Sequence, residues 1–247
     1  MPQTLPLSGI TCAITRPAHQ AKHLSQLLSE AGARCILFPT IEIKPLIQYP
    51  LLSLAYAEKV IFVSANAVIP NLTLNKNTVV FAIGEGTKNA LAAHGIDAIT
   101  PEHGQFNSES LLRHPMLQSV EHQYIVIFSG KGGRRLLFDT LKQKGAYVQQ
   151  VPIYERVRPQ TDLNRLVQEP IDWIISTSNE SLENLWEMAG SSNQPWLMKQ
   201  QLLVISEGMR KLAGELGFLH SAVVANSVSD TAIFEALLLG LACHSSE

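Results

Sequence analysis

The chain has 247 residues, enough for two domains of average size. Apolar residues make up 46% and charged residues 16%, which excludes an intrinsically disordered protein and a coiled coil. The net charge is −2, whereas a general nucleic-acid binder carries an excess of basic residues. The three cysteines form no spaced pair, no export signal precedes Arg16 and no apolar run reaches bilayer length. We therefore expect a cytoplasmic protein without membrane contact.

Short apolar runs alternate along the chain with stretches of helical periodicity. The run 11–15 predicts a buried strand, and apolar residues at helical spacing then predict a helix over 18–31, with Gly32 as its C-cap. The other predicted strands are 34–38, 60–63, 79–83, 96–100, 124–128, 146–151, 172–176, 202–205 and 222–225. Such alternation predicts an α/β fold with parallel sheets, and the mostly apolar strands indicate sheets that are covered on both faces.

The second half of the sequence repeats the first. A shift of 113 residues aligns the segment that begins at Cys12 with the one that begins at Ile125, so that Gly32 and Pro39 match Gly145 and Pro152. Two further pairs follow in the same order: 61–68 with 174–182, and 81–96 with 203–218. A period this long predicts two similar doubly wound parallel-sheet domains rather than a solenoid.

Two proline-containing segments with β-like patterns, 38–43 and 151–157, occupy equivalent places in the two repeats. Two arrangements are open at this point. Tandem domains would divide near residue 118, whereas in the other arrangement both segments cross between the lobes.

The turns that follow the predicted strands are candidates for ligand binding, because open α/β sheets bind ligands beyond the carboxyl ends of their strands. They are rich in Ser, Thr, Asn and Gly, which cap helices and leave backbone N–H groups facing a ligand. Capping alone needs no ligand, but six such turns favour an anionic ligand between the lobes. The turns are 15–17, 64–66, 84–87, 129–133, 176–179 and 206–208.

Several common sites are not indicated by the sequence. Residues 129–133 are glycine-rich, but neither GxxxxGK[ST] nor GxGxxG occurs, and there is no GxSxG elbow. His19 and His23 lie at i, i+4 without the glutamate of an HExxH motif. We expect no nucleotide, metal or other cofactor.

Seven motifs in this order and spacing resemble the uroporphyrinogen-III synthase family, in particular its gammaproteobacterial members. The resemblance covers nearly the whole chain. The motifs are ITRP (14–17), FPTIEI (38–43), VSANAV (63–68), AIGEGT (82–87), SGKGGRRLLFDTLKQKGA (129–146), VPIYERV (151–157) and TSNESLENLW (177–186).

The resemblance implies two α/β domains joined by a two-stranded antiparallel linker, formed by residues 39–46 and 151–158. One domain is then discontinuous and comprises residues 1–38 and 159–247. The other comprises residues 47–150. Each domain would therefore take half of each sequence repeat, which the repeat by itself does not determine.

The resemblance also implies a lyase without metal or organic cofactor. Such an enzyme cyclises the linear tetrapyrrole hydroxymethylbilane to uroporphyrinogen III, with loss of water and inversion of ring D, in haem and sirohaem biosynthesis. We expect a monomer that binds this small molecule and no nucleic acid, and a transient contact with the preceding pathway enzyme stays open. The alternative is a non-catalytic, hinged two-lobe binder of a small anion.

Site residues follow from the family's motifs. Tyr154 matches the tyrosine that donates a proton to the departing hydroxyl, and a phenol holds its proton at neutral pH. The expected substrate-binding residues are Arg16, Ser64, Ala65, Asn66, Gly84, Thr87, Ser129, Gly130, Lys131, Gly132, Ser178, Asn179, Ser206 and Gly208. The chain departs from many members after the last of these strands, where Gly208 and Met209 replace threonines. Gly208 and Met209 have no side-chain hydroxyl, so that turn would bind the substrate through Ser206 or through its backbone amides.

Overall fold

The computed structural model describes residues 5–46, 54–101 and 106–244. The chain folds into two compact units: unit 1 comprises Met1–Glu42 and Val157–Glu247, and unit 2 comprises Ile43–Arg156. The strands, in chain order, are β1 Thr11–Ile14, β2 Arg34–Leu37, β3 Glu42–Pro45, β4 Lys59–Phe62, β5 Val79–Ala82, β6 Tyr124–Gly130, β7 Tyr147–Val157, β8 Trp173–Ile175, β9 Gln201–Val204 and β10 Val223–Val224. The helices are α1 Ala18–Glu30, α2 Glu85–Ala92, α3 Ser108–Leu112, α4 Leu136–Gln143, α5 Asn164–Val167, α6 Asn179–Leu197, α7 Glu207–Glu215 and α8 Asp230–His244.

The sheet of unit 1 has the strand order β10-β9-β8-β1-β2, and its pairs are parallel. Successive residues of β1 face opposite sides, as the pleat requires. Cys12 and Ile14 pack with apolar residues of α1 and α8, whereas Ala13 packs with residues of α6 and α7. Both faces of this sheet are therefore covered by helices.

The sheet of unit 2 has the order β3-β7-β6-β4-β5. The pairs β4–β5, β4–β6 and β6–β7 are parallel. Phe62 and Phe128 stack on one face, with ring centroids 5.0 Å apart, while Ile61 packs on the other face with residues of α3 and α4. Beyond β3, the Leu46 amide donates to the Ile153 carbonyl of β7 at 2.9 Å.

The predicted α/β fold with parallel sheets is confirmed. Each sheet contains strands from both sequence repeats: β1 and β2 lie beside β8–β10, and β4 and β5 lie beside β6 and β7. The repeat makes β1 equivalent to β6 and β8 equivalent to β4, so the orders β9-β8-β1-β2 and β5-β4-β6-β7 correspond. The units do not divide at residue 118.

Two predicted strands differ from those observed. The predicted strand 96–100 is reduced to a single bridge between Ile99 and Phe81, because Pro101 lacks an amide and restricts the residue before it. The predicted strand 146–151 is too short, since β7 continues through Pro152 to Val157. A shift in register accommodates the proline: Ser129 pairs with Pro152, but Gly130 pairs with Tyr154.

Within the three described ranges, no helix combines the length and apolar character required to cross a membrane.

Candidate active site

A cavity of about 230 Å³ lies within unit 2, at the carboxyl ends of its parallel strands. Its position fits the general rule for ligand sites on open α/β sheets. Apolar residues of the strand ends and of α4 form part of its wall, and the turn after β6 forms another part. The described lining residues are Val63, Ile83, Ser108, Ile127, Gly130, Lys131, Gly132, Gly133, Arg134, Leu137, Phe138, Gln150, Tyr154 and Arg156.

Tyr154 and Gly130 lie in direct contact in the cavity wall. Tyr154 is 4% exposed, and its ring lies against the α-carbon of Gly130. A Cβ at residue 130 would lie 2.7 Å from Cζ of Tyr154 and 3.0 Å from its hydroxyl oxygen. The Lys131 amide also donates to the Tyr154 carbonyl at 2.8 Å. The glycine therefore leaves the space that the phenol occupies, and the shifted register places Tyr154 beside it.

Strand β7 carries three polar side chains that line the cavity: Gln150, Tyr154 and Arg156. Gln150 Nε2 donates to Oγ of the buried Ser129 at 3.1 Å. Ser129 is not among the described lining residues and contacts the lining residue Gln150 instead, whereas Gly130, Lys131 and Gly132 line the cavity. Gly132 has a φ of +75°, a left-handed conformation that glycine adopts without a steric penalty.

Three cationic residues line the cavity: Lys131, Arg134 and Arg156. Lys131 contacts Glu155 at 3.3 Å and Arg134 contacts Glu109 at 3.9 Å, and both pairs are exposed enough for solvent to screen them. No acidic residue occurs among the described residues of the lining. The cavity therefore favours an anionic ligand.

The turns after β4 and β5 adjoin this cavity through Val63 and Ile83, which line it. Ser64 Oγ accepts from the Asn66 amide at 3.2 Å and caps the short 3₁₀ helix Ala65–Ala67. Gly84 is the N-cap of α2, where a Cβ would lie 2.9 Å from Cβ of Phe106. Thr87 is buried within α2.

In unit 1, Arg16 occupies the turn after β1, and its guanidinium is held by three acceptors. Nε donates to Thr177 Oγ1 at 3.1 Å, one terminal nitrogen to Asp230 Oδ1 at 2.5 Å, and the other to the Val228 carbonyl at 3.1 Å. The side chains of Arg16 and Asp230 are only 11% and 17% exposed. These contacts give Arg16 a structural role. They do not test whether it also binds a carboxylate of the ligand, so that role stays a prediction.

The remaining predicted residues of unit 1 lie at helix N-termini. Ser178 Oγ accepts from the Ser181 amide at 3.1 Å, and Asn179 is the first residue of α6. Ser206 Oγ accepts from the Met209 amide at 3.2 Å, and Gly208 lies in the first turn of α7. A hydroxyl that accepts such a bond keeps its own O–H to donate, so capping and ligand binding are compatible.

Other ionisable groups lie outside this site. Burial, reinforced by the nearby Cys35 and Asp172, raises the pKa of the Cys12 thiol to about 12. A thiol with such a high pKa is unreactive at neutral pH. Within the described ranges, no group of three or more His, Cys, Asp or Glu side chains could hold a metal ion.

The sequence profile described as uroporphyrinogen-III synthase HemD matches residues 22–235, which is most of the chain. The chain belongs to the uroporphyrinogen-III synthase family. Its function is accordingly that of a uroporphyrinogen-III synthase. The match to this enzyme family does not support the alternative of a non-catalytic anion binder.

Two bacterial relatives agree with this assignment and confirm the resemblance to gammaproteobacterial members. The uroporphyrinogen-III synthase of Escherichia coli (strain K12) is 31% identical over 91% of this chain and 98% of its own length. That of Salmonella typhimurium (strain LT2) is 30% identical over the same shares.

Solved structures support the fold. A mutant uroporphyrinogen III synthase from the extremely thermophilic bacterium Thermus thermophilus gives a TM-score of 0.59 at 16% identity, covering 94% of this chain and 99% of that chain. The uroporphyrinogen-III synthetase of Helicobacter pylori 26695 gives 0.62 at 17% identity, with the same coverage. At this identity the likeness concerns the α/β fold alone.

Several residues of the cavity were not predicted from the sequence: Ser108, Arg134, Gln150 and Arg156. Arg156 carried a usable signal, since side chains two residues apart on a strand face the same side and Tyr154 was already a candidate. Ser108 and Gln150 carried none, because their positions depend on how α3 and β7 pack in three dimensions.

Proposed function

We propose that this chain is a lyase that cyclises hydroxymethylbilane to uroporphyrinogen III, with loss of water and inversion of ring D. The observation that carries the proposal is the buried phenol of Tyr154 in the wall of a cavity lined by Lys131, Arg134 and Arg156. The substrate has eight carboxylates, which match such a lining. Its leaving hydroxyl needs a proton donor, which a phenol supplies.

The chemistry assigned to Tyr154 is a single proton transfer. Its O–H gives a proton to the hydroxyl on ring A, and the C–O bond breaks with release of water. The pyrrole nitrogen supplies electrons to the carbon left behind. Ring D then attacks that electrophile through its substituted carbon, and the spiro intermediate fragments and recloses with the ring inverted. The ring D carbon that forms the last bond loses its hydrogen as a proton, which balances the proton that Tyr154 gave. Holding the chain folded for this closure is chiefly a matter of orientation.

Recognition of the remaining carboxylates is assigned to turns in both units. Backbone N–H groups at helix N-termini bind anions, and the capping hydroxyls of Ser64, Ser178 and Ser206 still have an O–H to donate. The full set is Arg16, Ser64, Ala65, Asn66, Gly84, Thr87, Ser129, Gly130, Lys131, Gly132, Ser178, Asn179, Ser206 and Gly208. Titration of product into ¹⁵N-labelled protein should shift amides of both units, and shifts confined to one unit would contradict this assignment.

We also infer the finer organisation that the family implies. Residues 39–46 and 151–158 form an antiparallel two-stranded linker, between a domain of residues 1–38 and 159–247 and a domain of residues 47–150. The hydrogen bond from Leu46 to Ile153 and the adjacency of β3 and β7 support this reading. Residues 47–53 lie outside the described residues. We propose that the protein is a cytoplasmic monomer; light scattering on the purified chain tests its mass in solution.

The decisive experiment measures the isomer of the product. Hydroxymethylbilane closes spontaneously to the type I isomer, in which ring D is not inverted. We expect the purified chain to give predominantly the type III isomer under conditions where a protein-free control gives type I. If the ratio of isomers stays at its uncatalysed value, the enzymatic proposal fails and a binding role remains.

A further inference from the structure

Resting on the proposed function, we propose that the cavity of unit 2 binds one pyrrole ring, the ring that bears the hydroxymethyl group, and that Arg156 binds a carboxylate of that ring. Arg156 is then the residue that selects an acid side chain on the reacting ring. The proposal assigns a substrate-binding role to a residue that lies in the VPIYERV motif but was not among the expected substrate-binding residues.

The volume of the cavity supports the binding of one pyrrole ring rather than of the whole substrate. Pockets that bury a whole drug-sized ligand have volumes of roughly 300–1,000 Å³. The cavity of about 230 Å³ is smaller, so it suits one substituted pyrrole and cannot enclose a four-ring chain. Its apolar wall includes Ile127, Leu137 and Phe138, which suit the face of an aromatic ring.

The placement of polar groups selects which ring enters. Tyr154 is the proposed acid, so the ring beside it is the one whose hydroxyl leaves. Arg156 follows two residues later on β7, about 7 Å along the strand, and also lines the cavity. Acid side chains on the carbons of the same pyrrole ring lie within reach of a guanidinium at that separation.

Arg156 also differs from the neighbouring cations in its position. Lys131 belongs to the glycine-rich turn and Arg134 follows it directly, and all three cations are exposed. Arg156 instead belongs to the strand that holds Tyr154 in place, so its Cα has a fixed distance from the proposed acid. A guanidinium binds a carboxylate through two parallel hydrogen bonds, which fixes the orientation of the ring as well as its affinity.

The test compares steady-state constants of the parent, Arg156→Gln and Arg156→Lys. We expect Arg156→Gln to raise KM for hydroxymethylbilane about tenfold, the effect of losing one charged hydrogen bond, with a smaller change in kcat. Arg156→Lys keeps the charge and should recover part of the loss. Arg158→Gln is the matched control, because Arg158 pairs with Glu187 and is not among the lining residues.

A substrate analogue locates the contact. In this analogue, ethyl groups replace the two acid side chains of the hydroxymethyl-bearing ring. The KM of the parent should be about tenfold higher for the analogue than for the natural substrate. For Arg156→Gln, the two KM values should be nearly equal. An analogue with the same replacement on an interior ring should still distinguish parent from variant.

The outcomes separate the two proposals. If the parent makes the type III isomer but Arg156→Gln keeps its KM and its discrimination, the role of Arg156 is overturned and the proposed function stands. If the parent makes no type III isomer, the proposed function itself fails.

Discussion

The turn after β6 in unit 2 and the turn after β1 in unit 1 hold equivalent places in the duplicated sequence, yet they are built differently. The 113-residue shift equates Gly130 with Pro17 and Tyr154 with Ile41. In unit 2 the glycine leaves space for the phenol and a cavity opens beside them. In unit 1, Ile41 is buried, and Arg16 is tied to side chains from distant parts of the unit.

A buried hydroxyl cluster lies beside the unit 1 turn and adds to its internal hydrogen bonds. Thr15 Oγ1 lies 2.7 Å from Ser181 Oγ, and Thr40 Oγ1 lies 2.8 Å from the same atom. Hydrogen bonds between buried groups rigidify a structure when all are satisfied. The two repeats therefore share a scaffold, whereas the cavity depends on the few positions where the two turns differ.

The largest effect is expected from removing the hydroxyl of Tyr154, which has no counterpart in unit 1, where Ile41 holds the equivalent place. Tyr154→Phe should lower the rate of type III formation by about 10²-fold, the low end of the range for general acids, because the pyrrole nitrogen already favours ionisation. The phenyl ring keeps the packing against Gly130, so the thermal midpoint should stay close to that of the parent. Full activity in a stable variant would remove Tyr154 from the chemistry and make it a linker residue.

The second test fills the space that the glycine leaves. Gly130→Ala should displace the phenol, since its Cβ would lie 2.7 Å from the Tyr154 ring, and we expect at least a tenfold loss of rate because small displacements of a catalytic group are costly. Gly214→Ala is the control: no atom lies within 4 Å of its Cβ in α7, and it should stabilise the fold by about 0.5–1 kcal/mol. Parental activity in Gly130→Ala would show that the contact with the phenol is unimportant.

The third test loosens the hydrogen bonds that hold Arg16 in the unit 1 turn. Asp230→Asn weakens the ion pair with Arg16 and the hydrogen bond with His23, so the free energy of unfolding should fall by about 2 kcal/mol. Asp139→Asn, which affects the exposed pair with Arg135, should change it by less than about 0.5 kcal/mol. The rate of Asp230→Asn at low temperature should stay far closer to that of the parent than the rate of Tyr154→Phe. A comparable loss would break the distinction between the two turns.

The last effect concerns the buried core of unit 1 and is absent at neutral pH, because it appears only at alkaline pH. The pKa of Cys12 is raised from an ordinary 9.0 to about 12, so above pH 9 the unfolded chain loses a proton that the folded chain keeps. Stability is therefore lost as pH rises from 9 towards 12, by up to about 1.4 kcal/mol per pH unit.

Denaturant unfolding from about pH 8 to about pH 10.5 tests this prediction in the parent and in Cys12→Ala. The substitution removes a buried sulfur and lowers stability by a constant amount, but it should flatten the decline above the ordinary pKa of 9.0. Equal slopes for both proteins would contradict the raised pKa of this thiol.

Much of the fold was predictable because the signals were local. Apolar runs alternating with helical periodicity predicted the α/β class and the places of most strands. The failures lie where a neighbouring residue changes the local result. Pro101 reduces the predicted strand at 96–100 to one bridge, and the shifted register at Ser129 lets β7 pass through Pro152. Whether a proline ends a strand depends on the register and hydrogen bonds of the adjacent strand. The local sequence around the proline does not contain that information.

The candidate site divides in the same way. Motif order by itself determined the family, and it predicted roles for Tyr154 and the glycine-rich turn, because these residues are close in sequence and chemically distinctive. Tertiary structure alone decided that Ser108 and Gln150 share a cavity with Tyr154, and that Arg16 is anchored by Asp230, 214 residues further along the chain. Hydrogen bonds and cavity walls depend on distances in space, and sequence spacing constrains those distances only within a single helix or strand.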